Sequence, residues 1–105
     1  MAWVFLLVAG LLEIVWSFTM KLSQGFARST PTAITILTMV LSFALLSISM
    51  RTLPLGTAYT VWTGIGAIGA FVVGVVALGE PMTAGRVLAA ALIVAGVALM
   101  KLTAS

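Results

Sequence analysis

The sequence of 105 residues contains no cysteine and no histidine, and only two of its residues are acidic. The missing cysteines exclude a disulfide framework, and the missing histidines leave no His- or Cys-based metal site. The two acids, Glu13 and Glu80, are far apart in the chain and are a poor basis for a carboxylate cage. We therefore expect no metal and no cofactor. The sequence also lacks a nucleophile–base pair, which argues against an enzyme.

Charge of either sign is scarce, since only 7% of the residues are charged. The five basic residues are scattered without a run or a face, so nucleic acid is a poor candidate for a partner. Hydrophobic residues make up 63% of the chain, which leaves too little polar surface to cover a soluble domain of this size. The composition predicts a protein embedded in the lipid membrane, with no soluble domain.

Charged, proline or glycine residues divide the chain into four apolar stretches, at about 2–21, 31–51, 55–79 and 84–102. Each stretch is long enough to cross a membrane once as a helix. Ser29 or Thr30 is expected to cap the second helix. The first stretch is interpreted as a retained helix, because it lacks the basic start of a signal peptide and Glu13 interrupts its apolar run. The predicted fold is all-α, with residues 1–105 forming a single four-helix transmembrane domain.

The basic groups are balanced between the two predicted membrane faces. One face would carry Lys21, Arg28 and Arg86, and the other would carry Arg51, Lys101 and the N-terminal amine. Since orientation follows an asymmetry of Lys and Arg, this balance favours insertion in both orientations, with a single fixed orientation as the alternative. Insertion in both orientations would allow an antiparallel, dual-topology homodimer of eight helices. The small residues Ala91, Ala95 and Gly96 would then give the fourth helix a surface for close packing.

Glu13 is the strongest candidate for a functional residue. It lies in the middle of the otherwise uncharged run from Ala2 to Met20, and therefore near the centre of the bilayer. An ionised carboxyl is costly at that depth, so it must face a partner or a cavity, or hold a proton. We expect Glu13 to bind both substrate and protons.

Five further residues are expected to line a site around Glu13. Gly10 and Trp16 share its side of the first helix, where Gly10 would leave room beside the carboxyl. Trp16 could present its ring to a cation or its N–H to the carboxylate, with ordinary aromatic packing as the alternative. The other three are Ser42 of the second helix, which could donate to the carboxylate, and Tyr59 and Trp62 of the third.

The remaining polar residues and glycines have simpler expected roles. Thr35, Thr38 and Ser49 are expected to bond to their own helix backbone. Gly64 and Gly66 would bend the third helix or let a neighbour pack closely. Glu80 is expected to be a solvated surface acid in a loop.

Three segments of the chain resemble the small multidrug resistance family of transporters, over essentially the full length. They are Gly10-Leu11-Leu12-Glu13-Ile14-Val15-Trp16, the segment 21–28 (KLSQGFAR) and the segment 53–67 (LPLGTAYTVWTGIGA). Trp16 makes the chain similar to the guanidinium-exporting subtype, because drug-exporting relatives typically have a small residue there.

The resemblance implies a four-helix protomer, an antiparallel dual-topology homodimer in a prokaryotic inner membrane, and proton-coupled export of a small cation such as guanidinium. It also implies that Glu13 serves protons and substrate, and that Ser42, Tyr59 and Trp62 line the site. Two alternatives stay open. One is a proton-coupled exporter of bulky quaternary ammonium compounds, and the other is a non-transporting membrane partner of a larger complex.

Overall fold

A computed structural model describes residues 1–103 as four α-helices. These are α1 (Ala2–Leu22), α2 (Ser29–Ser49), α3 (Leu55–Leu78) and α4 (Ala84–Thr103). All four are long and apolar enough to cross a membrane, so the predicted all-α membrane fold is confirmed.

The ends of the helices differ slightly from the sequence-based expectation. Ser29 and Thr30 were expected to cap α2, but both lie inside it, and the N-cap is Arg28 without a side-chain hydrogen bond. α3 ends at Leu78 because Gly79 adopts a left-handed conformation with φ 68°, which a glycine tolerates without strain.

α1 is the central element of the protomer. It packs against both α2 and α3, and within the described residues α4 packs along α3. The buried apolar residues come from α1, α2 and α3, and they are Leu6, Ala9, Leu46, Ala58, Val61 and Trp62. None of the described residues of α4 is buried. The protomer is therefore a packed three-helix unit with a fourth helix on its outside.

The connection between α1 and α2 is a tightly bonded turn. Gln24, Gly25 and Phe26 all have positive φ, of 53°, 73° and 68°. The buried Ser23 holds this turn, because its hydroxyl donates to the Met20 carbonyl at 2.6 Å and accepts the Phe26 amide at 3.0 Å.

The basic groups are divided between the two ends of the bundle. Arg51 lines the same surface cavity as Met1, and the Lys101 Nζ lies 4.0 Å from the centre of the Trp3 ring. At the opposite end, Lys21 shares a cavity with Glu80. Arg86 is 4.0 Å from Glu80, and Arg28 precedes α2 at the same end. Each end of the bundle therefore carries three positive groups, as the charge count predicts.

Candidate functional site

Glu13 projects from α1 toward α3, where Gly66 makes room for it. A Cβ atom placed on Gly66 would overlap the Glu13 carboxyl group, so a larger residue there would require the carboxyl to move. The Oε1 atom of Glu13 is buried and has no hydrogen-bond partner within residues 1–103. Because a buried polar atom without a partner is costly, this oxygen is an available acceptor for a ligand, a proton or a second protein chain.

Gly10 lies against α3. The three atoms nearest to a Cβ at position 10 all belong to Ile65 of α3. Spacing along α1 gives the face of a residue but not its neighbour on the next helix, and a place for Gly10 beside the Glu13 carboxyl stays a prediction. Gly10 permits the close approach of α1 and α3, and Gly66 provides the space for Glu13.

Ser42 connects three helices through its hydroxyl group. It accepts the indole N–H of Trp62 at 3.1 Å and donates to the Ala9 carbonyl at 2.7 Å. In a regular α-helix the same carbonyl accepts the backbone N–H of Glu13, four residues on. Ser42 is thus connected to the backbone of Glu13 and not, as expected, to its carboxyl.

Four aromatic rings form a row beside this hydrogen-bonded group. The ring centres of Trp16 and Phe43 are 6.2 Å apart, those of Phe43 and Trp62 are 5.7 Å apart, and those of Trp62 and Tyr59 are 5.5 Å apart. The structure therefore brings together Trp16, Trp62 and Tyr59. Sequence reasoning missed Phe43, although it is the only aromatic residue of α2 and directly follows Ser42.

The two ends of the aromatic row differ in environment. The Nε1 atom of Trp16 is buried without a hydrogen-bond partner in the part of the chain that the structure describes. Tyr59, at the other end, is 52% exposed and faces a groove of about 460 Å³ between α3 and α4. An unpaired donor on Trp16 and an unpaired acceptor on Glu13 thus lie about one turn apart on α1.

The other glycine of α3 has a different neighbour. A Cβ on Gly64 would overlap the side chain of Val97, so Gly64 allows α4 to approach. α3 is helical through both Gly64 and Gly66, and each of these glycines has a close neighbour on another helix. On α4, Ala91, Ala95 and Gly96 are all exposed, and a Cβ on Gly96 would meet open space.

Several hydroxyls bond to their own helix, as expected. Thr35 donates to Pro31 at 2.8 Å, Thr38 donates to Ile34 at 2.7 Å and Ser49 donates to Leu46 at 2.7 Å. Thr35 is also 2.7 Å from the hydroxyl of Thr19, across the interface between α1 and α2.

Glu80 lies in the connection between α3 and α4, and its side chain is 40% exposed. The sequence did not predict its neighbour, since the short connection after Gly79 folds the carboxyl back against Gly74 of α3. The Glu80 amide donates to the Gly74 carbonyl at 3.0 Å, which fixes this turn. Gly74 therefore makes room for Glu80 in the same way that Gly66 makes room for Glu13.

The fold and the site define a small multi-pass membrane protein with one carboxyl group at the centre of its helices. The sequence profile described as Small Multidrug Resistance protein matches residues 1–93. The chain therefore belongs to the small multidrug resistance family.

Relatives of similar length carry a common name. A protein of Salmonella typhimurium named "Guanidinium exporter" is 55% identical over 104 residues, covering 99% of both chains. Proteins of the same name from Citrobacter freundii and Escherichia coli are 54% and 50% identical over 98% of both chains. These names describe transport and not catalysis. With its four membrane-spanning helices, the chain is a multi-pass protein of the bacterial inner membrane.

Proposed function

We propose that this protein is a proton-coupled antiporter that exports guanidinium and small guanidinyl cations by alternating access. The observation that carries the proposal is the buried, unpartnered Glu13 Oε1 at the centre of the membrane-spanning helices. The names of the relatives, 55% to 50% identical over nearly the whole chain, support guanidinium as the substrate.

The chemistry of the site suits a small planar cation. Guanidinium is permanently charged near neutral pH and presents paired N–H donors, so a carboxylate can bind it in a bidentate manner. Aromatic rings attract a cation through their faces, and the rings of Trp16, Phe43 and Trp62 follow one another near the Glu13 helix. Glu13 would therefore supply the charge, and the aromatic rings would cover the faces of the substrate.

An antiparallel homodimer would complete the transporter. The surface of α4 supports this assembly, because its described residues are all unburied and include Ala91, Ala95 and Gly96. Two Glu13 carboxyls, one from each protomer, would then share one cavity between the subunits. Either protons or guanidinium would neutralise the pair, so inward movement of protons would drive outward movement of the cation.

The first prediction tests the role of Glu13 with purified protein in liposomes. Addition of guanidinium should give a proton-coupled current, and Glu13→Gln should abolish it because the amide can neither ionise nor release a proton. A Glu13→Gln protein that still accumulates guanidinium against its gradient would contradict the proposed mechanism.

The same preparation distinguishes the two alternatives. A response to a bulky quaternary ammonium ion, without one to guanidinium, would favour a multidrug exporter and contradict the guanidinium-exporting subtype that Trp16 suggests. No response to either cation would favour a membrane partner without transport activity of its own.

A further inference from the structure

The second acid of the chain lies at one end of a half-open surface cavity between α1 and α3. The cavity has a volume of about 190 Å³, and Ser17, Lys21, Ala70, Gly74 and Glu80 are among the residues that line it. Since a water molecule occupies roughly 30 Å³ in the liquid, the cavity is large enough for several waters. Its charged and hydroxyl groups provide the polar partners that such waters need.

The cavity lies next to the Glu13 site, along the same faces of α1 and α3. Glu13, Ser17 and Lys21 have a spacing of four residues and therefore share a face of α1. Residues 66, 70 and 74 of α3 have the same spacing, and all three are small. The carboxyl groups of Glu13 and Glu80 pack against these small residues. A Cβ at Gly66 would overlap Glu13, and a Cβ at Gly74 would overlap Glu80. We call Glu13, Ser17, Lys21 and Glu80 the polar row.

The side chains of the polar row can support proton transfer through water. The Ser17 hydroxyl donates to the Ile14 carbonyl at 2.9 Å, so its oxygen can still accept a hydrogen bond from a water in the cavity. Lys21 of α1 lines the cavity, and Arg86 of α4 lies 4.0 Å from the Glu80 carboxyl. These are the charged groups that face Glu80, and α3 contributes only uncharged residues to the cavity.

We propose that Glu80 is the outer proton-transfer group of the Glu13 site. The assignment rests on the proposed function, because it requires that Glu13 exchange protons with water. A proton passes from bulk water to the Glu80 carboxylate, then through the cavity waters to ionised Glu13. At the end Glu13 is protonated and Glu80 is again ionised, and the reverse sequence releases the proton.

The cavity does not reach Glu13 in this structure. Its lining begins at Ser17 and Ala70, about one helical turn from the contact between Glu13 and Gly66. The proposed transfer therefore requires that α1 and α3 separate over that one turn.

The test compares two fluxes of the purified protein in liposomes. Proton-driven guanidinium uptake requires net proton movement, whereas exchange of labelled for unlabelled guanidinium at equal pH does not. We expect Glu80→Gln to lower the first rate roughly a hundredfold, at the low end of what positioned proton-transfer groups contribute, and to leave the second at the wild-type rate. An equal loss of both rates, or no loss of either, overturns the assignment.

Matched variants distinguish a role of Glu80 in proton transfer from a structural role. Glu80→Asp keeps a carboxyl, and Arg86→Gln keeps Glu80 but removes its ionic neighbour, so both should retain most of the proton-driven uptake. Gly74→Ala displaces the Glu80 carboxyl without removing it and should reproduce the selective loss. If Glu80→Gln does not reach the membrane, Gly74→Ala makes the same comparison, and an unchanged ratio of the two fluxes overturns the assignment.

The wild-type protein distinguishes failure of this assignment from failure of the proposed function. Wild-type protein without proton-driven guanidinium uptake overturns the proposed function and the role of Glu80 together. Active wild-type protein with an unaffected Glu80→Gln variant overturns the role of Glu80 alone.

Discussion

Position 66 shows how a single residue determines the location of the candidate site. The Glu13 carboxyl lies against Gly66 and occupies the volume where a Cβ would be. A helix interior normally disfavours glycine by up to about 1 kcal/mol relative to alanine. At this position an alanine would instead displace the neighbouring carboxyl.

We therefore predict that Gly66→Ala abolishes guanidinium-driven currents, because the added methyl group displaces the Glu13 carboxyl. Gly56→Ala is the matched control, since it lies on the same helix and a Cβ there would meet no atom within 4 Å. The control should keep wild-type currents and thermal stability. Wild-type currents in Gly66→Ala would contradict the described contact.

The packing of α1, α2 and α3 depends on Ser42, because its hydroxyl group connects all three helices. It is fully buried and has bonds to both Trp62 and Ala9. The indole of Trp62 is 6% exposed, so its N–H has little access to another partner if Ser42 is removed. The position of Trp62 in the aromatic row is thus coupled to the helix that carries Glu13.

Ser42→Ala should destabilise the protein by about 1 to 3 kcal/mol, because it leaves the buried N–H of Trp62 without an acceptor. Thermal unfolding in detergent, followed by circular dichroism, measures this change. Thr38→Ala is the matched control on α2, because the Thr38 hydroxyl bonds only to its own helix. Equal unfolding temperatures for the two variants would show that the connection through Ser42 contributes little.

The sequence was sufficient to predict the four helices, because their apolar runs and charged or glycine-containing breaks are local features. It was also sufficient to select Glu13, since an acid in the middle of such a run is exceptional. It did not give the partners of Gly10, Gly66 and Ser42, because these depend on how α1 is rotated against α2 and α3. The contact between Glu80 and Gly74 was not predicted for a related reason, because hydrophobic periodicity does not show how a short turn packs against a neighbouring helix.

At the scale of the whole molecule, the arrangement of charge bears on orientation in the membrane. Lys21, Arg28 and Arg86 lie at one end of the bundle, and the N-terminus, Arg51 and Lys101 lie at the other. This arrangement gives neither end an excess of positive groups, which is the condition for insertion in both orientations.

Single-cysteine variants can test dual insertion directly, because the natural sequence has no cysteine. In intact cells, an impermeant thiol reagent should label about half of Gln24→Cys and about half of Thr52→Cys, which lie in loops at opposite ends of the bundle. Full labelling of one variant with none of the other would establish a fixed orientation and contradict the antiparallel dimer.

The position of α4 has a consequence for how much protein a cell must make. α4 packs along α3 and has no buried residue among those described, so much of its surface remains available to a second copy. If a second copy covers that surface, the gain in stability depends on protomer concentration by mass action. At low concentration the protomers would then remain monomeric and be degraded quickly, whereas at high concentration they would form dimers and persist. The number of active transporters would rise more steeply than the rate of synthesis.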